Sequence, residues 1–116
     1  MKRLLIVSIF TLGLAGLPAH AAGSIEAGKA AAAKYNCAAC HGADYNSPID
    51  PSYPKLAGQH RDYLVHSLIG YQRGVNGANG RGNAIMSAQA KMLSRDDVRN
   101  IAAYLHSLPG SLVLGK

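Results

Sequence analysis

The chain has no tryptophan, one phenylalanine and only two cysteines among its 116 residues. That lone Phe10 lies in the first apolar stretch, which reads below as a removable leader, so no large aromatic core can be built from phenylalanine or tryptophan. Two cysteines exclude a disulfide-rich scaffold. No internal repeat, low-complexity tract or second domain is visible. Acidic side chains number six against twelve basic ones. The basic residues form no run and are not interleaved with aromatics, which argues against a nucleic-acid partner.

What is present gathers around Cys37-Ala38-Ala39-Cys40-His41. Paired thiols followed at once by histidine are the C-x-x-C-H signature of covalent haem attachment. On a helical turn, residues three apart share a face, so both sulfurs can reach one edge of a porphyrin. His41 then stands beside the ring centre, where a neutral imidazole nitrogen can bind iron. Two other chemistries use C-x-x-C. A redox dithiol calls for a preceding strand and a βαβ surround, whereas an alanine-rich helical stretch precedes Cys37. A zinc site calls for further ligands from His60, His66 or His106, none of them paired at ligand spacing.

The amino terminus reads as an export signal. Lys2 and Arg3 precede an apolar run from Leu4 to Leu17, and Ala19-His20-Ala21 offers a small-x-small cleavage site. The run is too short to span a bilayer comfortably. Cleavage after Ala21 is expected, leaving residues 22–116 as one domain, exported to the periplasm and soluble. Losing Lys2 and Arg3 leaves ten basic residues against six acidic ones, a net charge of +4. A domain of this size needs a staple. With both cysteines committed to haem, the haem itself must serve.

Along the remainder, Ser24 to Asn36 reads as a first helix, with Ser24 as N-cap and Glu26 in its first turn. Residues 43–54 form a loop of turn formers stiffened by Pro51 and Pro54. A helix follows from about His60 to Arg73, with Tyr63, Leu64, Ser67, Leu68 and Tyr71 on one side and Gly74 as its stop. Gly74 to Ala84 carries four glycines. Such a loop can cross closely over a flat ligand, or it can be merely flexible. Ile85 to Leu93 reads as a short irregular helix. In the last helix Ser94 caps, Asp97 completes a capping box, and Val98, Ile101, Ala102, Leu105 and Leu108 form the apolar stripe before Pro109-Gly110. The fold class is all-α.

Iron bound by His41 alone would be open to oxygen or peroxide, whereas a second strong ligand would leave electron transfer. Met86, Met92, His60, His66 and His106 are the candidates. Methionine near a helix usually fills core gaps. Met86, however, lies just past the glycine loop and far along the chain from His41, so its sulfur could approach the other haem face.

Taken in order, CAACHG at Cys37 to Gly42, PKLAGQ at Pro54 to Gln59, the Tyr63–Gly74 segment, IMSAQAKMLS at Ile85 to Ser94 and IAAYLHSL at Ile101 to Leu108 resemble a class I c-type cytochrome. The chain is similar in particular to the single-haem halves of bacterial periplasmic dihaem cytochromes. The resemblance implies the small cytochrome c fold around one haem c, attached through Cys37 and Cys40, with His41 and Met86 on the iron. In that family the axial methionine is followed by alanine four residues on and leucine seven on, as Met86 is by Ala90 and Leu93. Pro54 matches the proline whose carbonyl accepts from the ligand imidazole, and Leu56 the leucine packed on the haem. Gly28 and Tyr104 match the crossing of first and last helices. Ala88 stands where relatives often carry proline.

The implied role is electron transfer in a respiratory chain rather than enzymatic catalysis. The implied partners are redox proteins, among them a terminal oxidase, a cytochrome bc1-type complex or a periplasmic dehydrogenase, met transiently by a monomer. The alternatives are a haem subunit of a dehydrogenase complex, a peroxidase-like enzyme with a labile sixth ligand, and a colourless dithiol oxidoreductase.

Overall fold

Alanine-rich sequence makes the first helix and a polar cap starts it. The computed structural model describes residues 23–111, so the leader and cleavage site expected at residues 1–21 lie outside the described residues. Helix α1 spans Ile25–Lys34, and the Ser24 hydroxyl accepts from the Ala27 N–H at 3.2 Å. It ends two residues earlier than the sequence suggested. Asn36 adopts φ +54°, a left-handed conformation that asparagine tolerates, and turns the chain into the next element. That element, α2 (Ala38–His41), is a single helical turn. Helix α3 runs Arg61–Arg73 and stops where Gly74 takes φ +69°.

Helix α4 spans Ala84–Lys91 and is regular rather than irregular. Asn83, which the sequence left inside the glycine loop, is its N-cap and accepts from the Met86 N–H at 2.9 Å. Helix α5 spans Arg95–Ser107 with the full Ser94/Asp97 capping box. Leu108 lies just past its end in extended conformation and still packs on the core. Among the described residues every regular element is a helix.

Helices α1 and α5 cross where α1 has no side chain. A Cβ added to Gly28 would stand 1.9 Å from the Asn100 carbonyl oxygen and 2.7 Å from the Tyr104 Cβ. The Asn100 side chain accepts from the Ser24 N–H at 2.8 Å, and the Tyr35 hydroxyl donates to Asp97 at 3.1 Å, so the crossing is tied at both ends. Helix α3 packs on both α4 and α5.

The loop after α2 contributes more than turns. Tyr45 is 4% exposed, holds φ +55°, and meets Tyr104 edge-on at 5.9 Å. Its carbonyl accepts from the Leu56 and Ala57 N–H groups, which brings residues 54–57 back toward α2. The glycine loop also departs from expectation. Gly77, Gly80 and Gly82 serve packing within the loop and against the end of α3, since a Cβ on Gly80 would strike the Gly74 carbonyl oxygen at 1.7 Å and one on Gly77 the Arg73 Cβ at 2.6 Å. None of them lines the central cleft; from this loop only Arg81 does.

Small residues dominate the interior. The buried cluster holds Ala31, Ala32, Ala57 and Ala102 beside Tyr45, Leu64, Ile101 and Leu105. The largest side chain less than 2% exposed is Val98. A core this thin leaves a domain of such length short of apolar burial.

Candidate functional site

The missing core volume is a cleft of about 330 Å³ between α2, α3, α4 and α5. Tyr63, Leu64, Ser67, Leu68 and Tyr71, the side of α3 read from the sequence, all line it. Ile85, Met86, Gln89, Ala90 and Leu93 come from α4 and its end, and Ile101 and Leu105 from α5. Pro54, Leu56 and Arg81 complete it from the loops.

The α2 turn brings Cys37, Cys40 and His41 to this cleft together. His41 is 7% exposed, and its Nδ1 stands 3.0 Å from the Pro54 carbonyl oxygen. A carbonyl only accepts, so the proton is on Nδ1. Nε2 then keeps its lone pair in the neutral ring, and no protein group among the described residues bonds it. Burial pushes the Cys37 thiol above its ordinary value, with a backbone hydrogen bond acting the other way.

Of the sixth-ligand candidates, Met86 alone lines the cleft. Met92 is 54% exposed at the end of α4, and His60, His66 and His106 are exposed and outside it. His106 instead has its Nδ1 2.8 Å from the Gln59 carbonyl. Among the described residues no group of three or more His, Cys, Asp or Glu side chains could hold a bare metal ion.

Three residues that sequence reading passed over shape this site. Arg81 lays its guanidinium over the rings of Tyr63 and Tyr71, at 5.3 and 5.7 Å from their centroids, and donates to the Tyr63 hydroxyl at 3.4 Å. That hydrogen bond and charge lower the Tyr63 phenol below its ordinary value. Asn83 caps the helix that bears Met86. Gln72, on α3, donates to the Ala90 and Leu93 carbonyls at 2.9 and 3.0 Å. An N-cap residue three before Met86 was visible in the sequence; the partners of Arg81 and Gln72 were not.

Two neighbouring thiols, a buried imidazole held through Nδ1 by a carbonyl with Nε2 free, a thioether and aliphatic walls suit a flat apolar metal macrocycle. The fold and the site define a helical, covalent haem-binding domain. The Cytochrome c family model matches residues 25–109, and the chain belongs to that family. It is 42% identical over 116 residues to cytochrome c4 of Stutzerimonas stutzeri, covering 97% of this chain and 53% of the relative. To cytochrome c4 of Pseudomonas aeruginosa it is 46% identical over 107 residues, covering 92% and 49%. The crystal structure of reduced recombinant cytochrome c4 from Pseudomonas stutzeri superposes with a TM-score of 0.67 at 39% identity, over 78% of this chain and 48% of that one. The chain thus spans about half the length of these relatives and corresponds to a single-domain half of a class I c-type cytochrome. Its motif at Cys37, Cys40 and His41 carries one covalently attached haem c.

Proposed function

We propose that the protein is a periplasmic single-electron carrier, with Cys37 and Cys40 as the thioether anchors and His41 and Met86 as axial ligands. One observation carries the reading: a single apolar cleft collects both thiols, an imidazole oriented through Nδ1, and one thioether. The haem supplies a one-electron couple at its iron. The Pro54 carbonyl, by accepting from Nδ1, fixes the tautomer and makes Nε2 a stronger donor. The soft Met86 sulfur and the aliphatic walls, Leu56 among them, disfavour the additional charge of the oxidised state and raise the potential. With His41 and Met86 both holding the iron, small molecules would find no open site. Electron exchange is then the remaining task, rather than activation of oxygen or peroxide.

Residues 1–21 act in this reading as a cleaved export signal, with the domain in 22–116. Among the described residues no helix is long and apolar enough to cross a membrane. The partners are other redox proteins, a terminal oxidase, a bc1-type complex or a periplasmic dehydrogenase, met by a monomer through a small, salt-sensitive interface.

Potentiometric titration of the purified holoprotein tests the assignment. The account expects a reversible one-electron transition at clearly positive potential, with no binding of carbon monoxide to the reduced form. Rapid carbon monoxide binding would show a vacant or labile position and overturn the carrier reading.

A further inference from the structure

Helix α4 is a weak support for a metal ligand. It has eight residues, and isolated helices of that length are unstable in water. Only Ala90 is buried against the protein itself, while Ile85 and Met86 face the haem cleft. The protein's own apolar contacts therefore hold little of the helix that carries Met86.

Side-chain hydrogen bonds hold it instead. At its start Asn83 binds the Met86 N–H. At its other end, carbonyls that lack a full set of intrahelical partners are the usual liability of a helix terminus. Here both Nε2 protons of Gln72 are used, one on the Ala90 carbonyl, which also accepts from the Leu93 N–H, and one on the Leu93 carbonyl. Only the amide nitrogen can donate to a carbonyl, so the orientation of the Gln72 side chain is unambiguous. Two residues before Gln72, the Gly70 carbonyl accepts from the Arg81 N–H at 2.9 Å. The last turn of α3 therefore grips the segment on both sides of Met86, at residue 81 and at residues 90–93.

We propose that Gln72 is a positioning residue for the sixth ligand: by holding the carboxyl end of α4 on α3, it keeps the Met86 sulfur on the iron. Gln72 does not line the haem cleft. It acts wholly through the helix. The inference rests on the reading of Met86 as ligand.

The test uses the ferric holoprotein with imidazole as the competing ligand, following loss of the sulfur-to-iron charge-transfer band. Gln72→Met keeps the length of the side chain and removes the donor. Gln72→Glu also removes it, in a surface groove between α3 and α5 that Gln72 lines together with Arg73, Arg95 and Arg99. Both variants should bind imidazole about 5- to 160-fold more tightly than the unsubstituted protein, the range set by two lost hydrogen bonds. Gly28→Ala, which disturbs the α1–α5 crossing and lies outside the cleft, serves as the comparison. It should lower the unfolding midpoint and leave imidazole affinity unchanged. If the Gln72 variants shift the unfolding midpoint alone, the residue is merely structural and the proposal is overturned. If the unsubstituted protein shows no sulfur band, the Met86 reading itself fails, and this inference with it.

Discussion

Two glycines on two helices make opposite predictions, although both replacements raise helix propensity. Alanine is favoured over glycine in a helix interior by about 1 kcal/mol. At Gly28 a new Cβ would sit 1.9 Å from the Asn100 carbonyl oxygen, 2.5 Å from its carbon and 2.7 Å from the Tyr104 Cβ. Two of these three atoms are backbone, so no rotamer change relieves the clash and α1 must move off α5. Overpacking of this kind costs about 1–3 kcal/mol and occasionally more. The displacement also strains the Ser24–Asn100 hydrogen bond. We expect Gly28→Ala to lose about 2 kcal/mol net, or about 8–16 °C in Tm for a domain this size. At Gly70 the added Cβ meets the Arg81 side chain at 3.0 and 3.3 Å and the Asn79 carbonyl oxygen at 3.3 Å. Small adjustments of a long side chain accommodate that, so Gly70→Ala should stay within about 1 kcal/mol of the unsubstituted protein. Thermal unfolding followed by circular dichroism decides the matter. Equal stability of Gly28→Ala and the parent, or an equal loss at both sites, would refute the crossing geometry as the source of the constraint.

Further expectations concern pH and charge. Burial, with the neighbouring Tyr104 adding to it, raises the Tyr45 phenol from 10.0 to about 12. The unfolded chain therefore loses this proton first, and the stability Tyr45 contributes is full below pH 10 and lost as pH rises from 10 to about 12. Tyr45→Phe should flatten that part of the alkaline unfolding curve, and an unchanged curve would contradict the burial. Arg81 holds a positive charge at the cleft, steadied by two tyrosine rings. Arg81→Met preserves the stem over those rings and should lower the reduction potential, whereas Arg81→Lys should lower it less. Equal potentials in all three proteins would show that the charge does not act on the iron.

Local signals in the sequence translated faithfully into structure. Ser24, the Ser94/Asp97 box and Gly74 cap or stop the helices assigned to them, because capping depends on residues within one turn. The side of α3 defined by Tyr63, Leu64, Ser67, Leu68 and Tyr71 was legible for the same reason: helical period alone gathers it. The His41–Pro54 contact was legible only by resemblance, since nothing local announces a bond across the turn-rich loop. Long-range chemistry was hidden. Tyr45 looks like one more turn residue until Tyr104 arrives from the far end of the chain to bury it. The glycine loop suggested either close passage over a ligand or mere flexibility, yet Gly77, Gly80 and Gly82 are consumed by packing within the loop and against the end of α3. Arg81, an unremarkable cation among those glycines, is the loop residue that reaches the cleft. Gln72 sits outside the apolar stripe, and its importance appears only when α4 folds back beside it.

The central claim is that one polypeptide clamps haem iron between the His41 imidazole and the Met86 sulfur. Its most direct test is the ferric visible spectrum of the processed holoprotein beside those of Met86→Ala and Met92→Leu. The account predicts a sulfur-to-iron charge-transfer band that vanishes in Met86→Ala, with conversion toward a high-spin spectrum, and that persists unchanged in Met92→Leu. A low-spin spectrum retained without change in Met86→Ala, or a band lost in Met92→Leu, would contradict it.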